Sequence, residues 1–174
     1  MFGYPLFLDL EGQRCLVFGG GEVATRKIEA LLKRGAKVRC VSRDFSPSLR
    51  RLARKKNSEL VLQRSKGSVV PLNGVRLAIA ATSDRNFNAR VAEACRGKKI
   101  WVNVVDDPEL CDFYVPAVLE RGPLQVAIST GGASPLFARR LREELEKVIP
   151  ASMGRMLERL GKVKAKVQSL RKNK

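Results

Sequence analysis

A chain of 174 residues, 44% of them hydrophobic, is long enough to bury one core and to leave an appendage outside it. Its 34 Lys and Arg against 17 Asp and Glu give a net charge of +17, which admits nucleic acid, an acidic membrane surface or a polyanionic small molecule as partner. The absence of histidine excludes Ser-His-Asp triads, histidine general bases and histidine-ligated metals, and leaves carboxylates to carry protons.

No apolar run approaches the roughly 20 residues that span a bilayer, so no membrane partner is expected. Met1–Leu10 lacks the basic start, apolar stretch and cleavage site of a signal peptide. Cys15, Cys40, Cys95 and Cys111 form no CxxC pair and read as small core residues in a reducing cytoplasm.

In chain order, Cys15–Phe18 predicts a short buried strand, and Glu22–Arg34 a helix with Ala24, Ile28 and Leu31 on one face. Between them Gly19-x-Gly21-x-x-Ala24 has the dinucleotide register. The first glycine permits the tight turn and the second lets backbone N–H groups approach a pyrophosphate. The small Ala24 allows close packing of helix on strand. Gly35 is placed to end the helix, and Lys37–Val41 is the second strand. An acid near this strand end commonly takes the ribose hydroxyls of NAD. Here the end reads Ser42-Arg43-Asp44, with Asp44 slightly late and Arg43 equally suited to a 2′-phosphate, so this stretch leaves NAD and NADP open.

Ser46 and Pro47 give an N-cap and first position for a helix running to about Lys56, whose arginines read as a solvated face. Glu59–Leu62 is a third strand and Leu77–Ala81 a fourth, buried by its unbroken apolar run, with Ala81 and Thr82 ending it beside the expected cofactor. Asn86–Arg96 is helical, and Ile100–Val105 is the fifth strand. Strands alternating with helices make a parallel α/β sheet whose ligand crevice lies at the carboxyl ends of its strands. Asn103, Asp106 and Asp107 therefore arrive near the nicotinamide end of a cofactor, with Asp107 reading as a cap for the turn before Pro108.

After Cys111 the pattern changes. Phe113–Ala117 and Leu124–Ser129 flank the turn signal Glu120-Arg-Gly-Pro123 and read as a hairpin. Ser134 and Pro135 start a helix running to about Val148. The loop before it, with Ser129, Thr130, Gly131 and Gly132, and Arg139 and Arg140 behind it, reads either as an anion site or as an ordinary capped helix start. Pro150 breaks the chain, and Ala151–Lys174 is a basic helix with an apolar stripe from Met153 to Leu170, read as a packing face for a partner subunit. Its last residues, RKNK, are expected to fray.

Tyr4–Leu10 (YPLFLDL), Cys15–Lys27 (CLVFGGGEVATRK), Leu77–Cys95 (LAIAATSDRNFNARVAEAC), Val102–Ala117 (VNVVDDPELCDFYVPA) and Ser129–Glu143 (STGGASPLFARRLRE) together resemble the precorrin-2 dehydrogenases of the siroheme-synthase family. The resemblance runs from Tyr4 to Pro150 with the motifs in the family's order and spacing, and the stand-alone form of the family, without a fused methyltransferase, is expected. It implies a Rossmann-like α/β domain over 1–112 and a small α+β dimerisation segment over 113–150 that exchanges between subunits; the basic helical tail over 151–174 lies beyond it and is read from the residues alone. It also implies NAD-dependent oxidation of precorrin-2 to sirohydrochlorin by a homodimer, with some members inserting Fe²⁺ as well.

The resemblance maps cofactor contacts onto Gly19, Gly21, Glu22, Val23, Ser42, Arg43 and Asp44, and the functional aspartate onto Asp106. Thr130 stands where the family often has serine. An octacarboxylate substrate accounts for a basic protein. Two other readings remain: a dehydrogenase that is also a ferrochelatase, its metal held by the tetrapyrrole itself, and a nucleotide-sensing regulator with a nucleic-acid-binding tail. The tail lacks the interleaved aromatics of a stacking platform, so specific nucleic-acid binding is not expected.

Overall fold

The apolar runs become a five-stranded parallel sheet. In the computed structural model, which describes Gly3–Lys172, its strands are β1 (Arg14–Phe18), β2 (Lys37–Ser42), β3 (Leu60–Arg64), β4 (Val75–Ala80) and β5 (Trp101–Val104), in the order β3-β2-β1-β4-β5. The chain winds outward from β1 through helix α1 (Glu22–Leu32) to β2 and through helix α2 (Pro47–Ala53) to β3. It then returns to β4 on the other side of β1 and reaches β5 through helix α3 (Arg85–Arg96). The direction of winding reverses between β1 and β4, and that is where doubly wound sheets open a crevice for ligands.

Alternate residues of β1 serve opposite faces of the sheet. Cys15 and Val17 join Ala24, Ile28 and Leu31 of α1 and Leu49 of α2 in one core cluster. Leu16 and Phe18 join Phe87, Val91 and Cys95 of α3 in the other. Burial on both faces explains why these strands read as unbroken apolar runs. Phe18 and Phe87 meet edge to face, 5.6 Å between ring centroids. Cys15, Cys40 and Cys95 are buried in these layers, and all four cysteines are free thiols.

Helix ends follow local chemistry. Gly35, at φ 73°, turns the chain out of α1, and the Gly35 and Ala36 N–H groups donate to the Leu32 and Leu31 carbonyls. Ser46 caps α2 by accepting from the Leu49 N–H, but α2 ends at Ala53, short of the expected Lys56. Arg50 and Arg54, and Arg51 and Lys55, are like charges four residues apart, and Asn57 takes a left-handed φ of 61° just beyond.

These elements belong to one compact unit, Pro5–Tyr114; a second is built on Val115 onward. Its hairpin pairs β6 (Ala117–Arg121) with β7 (Leu124–Ile128). The first strand thus lies four residues later than the expected Phe113–Ala117. Pro116 has no N–H to give to a ladder, so pairing begins after it. Gly122, at φ 57°, and Pro123 form a two-residue turn that lets Arg121 pair with Leu124 at once.

Helix α4 (Pro135–Val148) starts where the sequence indicates, with the Ser134 hydroxyl accepting from the Phe137 N–H at 3.1 Å. At its far end the Arg121 guanidinium donates to the Ile149 and Glu146 carbonyls, at 3.0 and 3.2 Å. Helix α5 (Ala151–Lys172) sets Gly154 against the Arg121 carbonyl, where an added Cβ would overlap the oxygen. Its apolar stripe, Met153, Met156, Leu160, Val163, Val167 and Leu170, is exposed in the single chain. Asn173 and Lys174, part of the end expected to fray, lie outside the described residues. Among the described residues, no helix is long and apolar enough to cross a membrane.

Candidate active site

The three glycines after β1 do three different jobs. Gly19 has φ 117°, a backbone state that side chains rarely adopt, and an added Cβ would overlap the Ala81 carbonyl. At Gly20 an added Cβ would overlap the Asp44 carbonyl, so this residue lets two loops touch. The Gly20 carbonyl also accepts from the Ser46 N–H at 2.8 Å. At Gly21 an added Cβ meets no described heavy atom within 4 Å, so this position faces open space. Gly21 is also the N-cap of α1, and it offers no side chain to satisfy the first-turn N–H groups. In contrast, Ser46, Asp84 and Ser134 cap the starts of α2, α3 and α4.

That uncapped helix start opens on a cleft of about 740 Å³ at the carboxyl edge of the sheet. Gly19, Gly21, Glu22 and Val23 line it together with Ser42, Arg43 and Asp44 at and after the end of β2 and Ala81 and Thr82 just after β4. Nine of the ten cofactor positions named from the sequence therefore surround one space. Its size lies in the range of ligand sites, roughly 300 to 1,000 Å³. Free first-turn N–H groups, positive helix potential and the unfilled space at Gly21 fit a dinucleotide pyrophosphate.

Side chains around the cleft are already arranged. The Glu22 carboxylate accepts from the Ser48 hydroxyl at 2.6 Å, and Ser48, Ser46 and Thr25 continue that chain of hydroxyls, tying α1 to α2. Thr82 shares a 2.6 Å hydrogen bond with the Asn88 side chain, and the Asn88 amide donates back to the Thr82 carbonyl at 3.0 Å. Thr82 thus shapes the turn before α3 as well as lining the cleft. Asp44 is highly exposed and lies 3.8 Å from the Arg64 guanidinium.

Asn103, the tenth position, is not among the residues lining the cleft. It is buried within β5, and its amide donates to the Phe113 carbonyl at 2.9 Å and to the Cys111 sulfur at 3.4 Å. Its polar character, read as a cofactor contact, closes the excursion between residues 103 and 113. Asp106 stands within that excursion at φ 60°, one of three described non-glycine residues in the left-handed region. Asp107 occupies the N-cap position of the short turn Pro108–Leu110, but its side chain makes no capping bond; its carbonyl accepts from the Leu110 N–H at 3.3 Å instead. The capping role expected of its carboxylate is therefore performed by its main chain.

Cys111 holds the same turn. Its sulfur lies 3.1 Å from both the Val104 nitrogen and the Val104 carbonyl oxygen, accepting from one and donating to the other. Burial raises the Cys111 pKa, which keeps the thiol proton available for that bond. Half-buried Lys27 of α1 has a lowered pKa, first from burial and then from the Arg26 charge, with the charges of Cys111 and Asp106 opposing the shift. The sequence reading missed Lys27. The available signal was its spacing, since Ala24, Lys27 and Leu31 recur at helical intervals on the side that faces the sheet.

In the other unit, Ser129, Thr130, Gly131 and Gly132 form the turn before α4. The Ser129 and Thr130 hydroxyls accept from the Gly131 and Ser134 N–H groups at 3.2 and 3.1 Å. An added Cβ at Gly132 meets no described heavy atom within 4 Å. Arg139 is exposed and paired with Glu143 at 3.0 Å.

Residues 6–117 match the family model described as putative NAD(P)-binding, and residues 121–147 match that of the sirohaem biosynthesis protein central region. A siroheme synthase of Chromobacterium violaceum is 44% identical, over 88% of this chain and 32% of that protein. Siroheme synthase 1 of Serratia proteamaculans is 41% identical, over 94% of this chain and 34% of that protein. The chain thus spans about a third of the length of these curated relatives. Among solved structures, that of SirC, a precorrin-2 dehydrogenase, is similar with a TM-score of 0.76 and 30% identity, over 94% of this chain and 79% of that one.

Proposed function

The chain belongs to the precorrin-2 dehydrogenase family, and from that premise we propose that it oxidises precorrin-2 to sirohydrochlorin with NAD⁺ in siroheme biosynthesis. The observation that carries this reading is the uncapped start of α1 opening on a cleft that also receives the ends of β2 and β4. NAD⁺, when bound, supplies the hydride acceptor.

The chain's own residues bind, orient and move the proton. Backbone N–H groups from Gly19 to Val23 hold the pyrophosphate in the space that Gly21 leaves open. Asp44 takes the ribose hydroxyls, and Arg43 is the neighbouring cation. Loss of a hydride from precorrin-2 is balanced by loss of one proton, and Asp106 accepts or directs that proton. Ser129, Thr130, Gly131, Gly132 and Arg139 offer hydroxyls, N–H groups and a guanidinium suited to the substrate's carboxylates.

The working form in this reading is a homodimer in the cytoplasm. The exposed apolar stripe of α5 supports the dimer, since contiguous apolar surface of this kind marks an interaction face. Four free thiols, three of them buried, fit a reducing compartment. Anaerobic incubation of purified protein with precorrin-2 and NAD⁺ tests the activity. Appearance of sirohydrochlorin and NADH in equal amounts supports it, and absence of both rejects it.

A further inference from the structure

A second cavity, of about 240 Å³, lies between one face of α2 and one face of β3. Arg50, Ala53 and Arg54 face it from α2 at helical spacing, and Leu62 and Arg64 face it from β3 at strand spacing. Phe45 completes its lining. The lining divides by chemistry. Phe45, Ala53 and Leu62 are partly buried and pack on the core cluster beneath α1 and α2, so they form an apolar floor. Arg50, Arg54 and Arg64 are exposed and form a cationic rim.

The sequence reads the arginines of α2 as a solvated face, but a solvated face needs no concave apolar floor beneath it. Arg50 uses its Nε–H on the Phe45 carbonyl at 3.1 Å, which fixes the guanidinium at the rim with its terminal N–H groups still to place. Arg64 meets the exposed Asp44 carboxylate at 3.8 Å, longer than a hydrogen bond. Three guanidiniums and one loosely held carboxylate leave the rim cationic.

We propose that this cavity binds a small planar polycarboxylate: a single ring lying on Phe45, Ala53 and Leu62, with its carboxylates on Arg50, Arg54 and Arg64. Guanidinium forks match carboxylates two bonds at a time, and an aromatic floor favours a flat apolar body. The cavity is smaller than the usual range for drug-sized ligands, so it takes one ring, not a dinucleotide or a macrocycle. A compact anion such as phosphate would leave the floor unused. The site is distinct from the nucleotide cleft although Phe45 borders both.

Calorimetric titration of the full chain with trimesate, a benzene ring bearing three carboxylates, tests this. The expected result is saturable binding of one trimesate per chain, tighter than citrate and tighter again than inorganic phosphate. Arg54→Gln should weaken it roughly 3- to 10-fold, while Arg51→Gln, on the same helix outside the cavity, leaves it unchanged. Both substitutions are at exposed positions, and circular dichroism confirms the fold. Binding should persist at saturating NAD⁺. Equal affinity for all three anions, or equal losses in the two variants, would mean diffuse attraction to a basic protein and overturns the site. Abolition by NAD⁺ would place trimesate in the nucleotide cleft and overturns it too. Failure of the proposed dehydrogenase reaction, measured separately, leaves this outcome untouched.

Discussion

Gly20 lies against the main-chain carbonyl of Asp44 so closely that a Cβ on Gly20 would overlap that oxygen. Its neighbour Gly21 faces open space. Two adjacent glycines should therefore respond in opposite ways to substitution. Gly20→Ala forces the β2–α2 loop away from the glycine turn and should cost about 1–3 kcal/mol of stability. Gly21→Leu should fold with a melting temperature within a few degrees of the parent, yet lose NAD⁺ affinity by tenfold or more, because its side chain occupies the pyrophosphate position. Calorimetry decides: unchanged NAD⁺ affinity in a folded Gly21→Leu protein removes the pyrophosphate from this turn.

The end of the cleft proposed to take the ribose carries both signs of charge, since Arg43 and Asp44 line it side by side. A 2′-phosphate is drawn to Arg43 and repelled by Asp44; free ribose hydroxyls bond to Asp44. Arg43→Asp should lower NADP⁺ affinity more than NAD⁺ affinity, shifting their ratio by about tenfold. A ratio that does not move takes Arg43 away from the ribose.

Much of this geometry was legible in the sequence because local rules determine it. The run from Cys15 to Ala24 specifies strand, turn and helix together, and Ser-Pro pairs at 46–47 and 134–135 mark helix starts that the structure reproduces. The hairpin was displaced because Phe113–Ala117 is apolar enough for a strand, whereas pairing is set by Pro116 and by the backbone state of Gly122. Asn103 was read by its place at a strand end, yet the residue its amide meets, Phe113, is ten positions away. Arg64 was invisible as a site residue for the same reason: its significance lies in the helix opposite it.

The exposed stripe of α5 predicts self-association. Sedimentation equilibrium at micromolar concentration should report a dimer, and a chain ending at Pro150 should dissociate more readily while keeping its NAD⁺ affinity, since the residues lining the nucleotide cleft lie between Gly19 and Phe87. A monomeric full-length chain would contradict the dimer. Loss of NAD⁺ binding on truncation would assign the tail to the cofactor site.

Three buried thiols give the protein an alkaline limit. Burial pushes Cys15 and Cys95 up to about 11 and Cys40 up to about 12, from 9.0. Between pH 9 and those values the native chain keeps protons that the unfolded chain has lost. Stability is therefore unaffected by these groups below pH 9 and falls as pH rises through that window. Lys27 acts in the opposite sense, because its lowered pKa makes the native chain release a proton earlier than the unfolded one. Denaturation midpoints measured from pH 8 to pH 11 should decline, and the decline should be shallower in Cys40→Ala. An identical slope in that variant would remove Cys40 as a cause.

Asp106 is set in the left-handed backbone region at the carboxyl edge of the sheet, in a turn pinned by Cys111. Aspartate and asparagine tolerate that conformation better than other side-chain-bearing residues, so Asp106→Asn removes the charge while sparing the backbone. In the proposed reaction the carboxylate receives or directs the proton that leaves with the hydride, and a positioned base is worth on the order of 10² to 10⁴ in rate. Asp106→Asn should therefore keep fold, dimer and NAD⁺ affinity while dehydrogenation slows by roughly 10² or more. Asp106→Ala should show the same kinetic loss with an added stability loss of about 1–2 kcal/mol from the strained backbone. Asp107→Ala is the control: its carboxylate caps nothing, and its main-chain bond to Leu110 survives the substitution, so its loss should be far smaller. The pair Asn and Ala separates chemistry from strain. If Asp106→Asn keeps full activity, the carboxylate is not the base and Asp106 serves the turn alone; if Asp107→Ala falls as far as Asp106→Asn, the loss belongs to the turn as a whole.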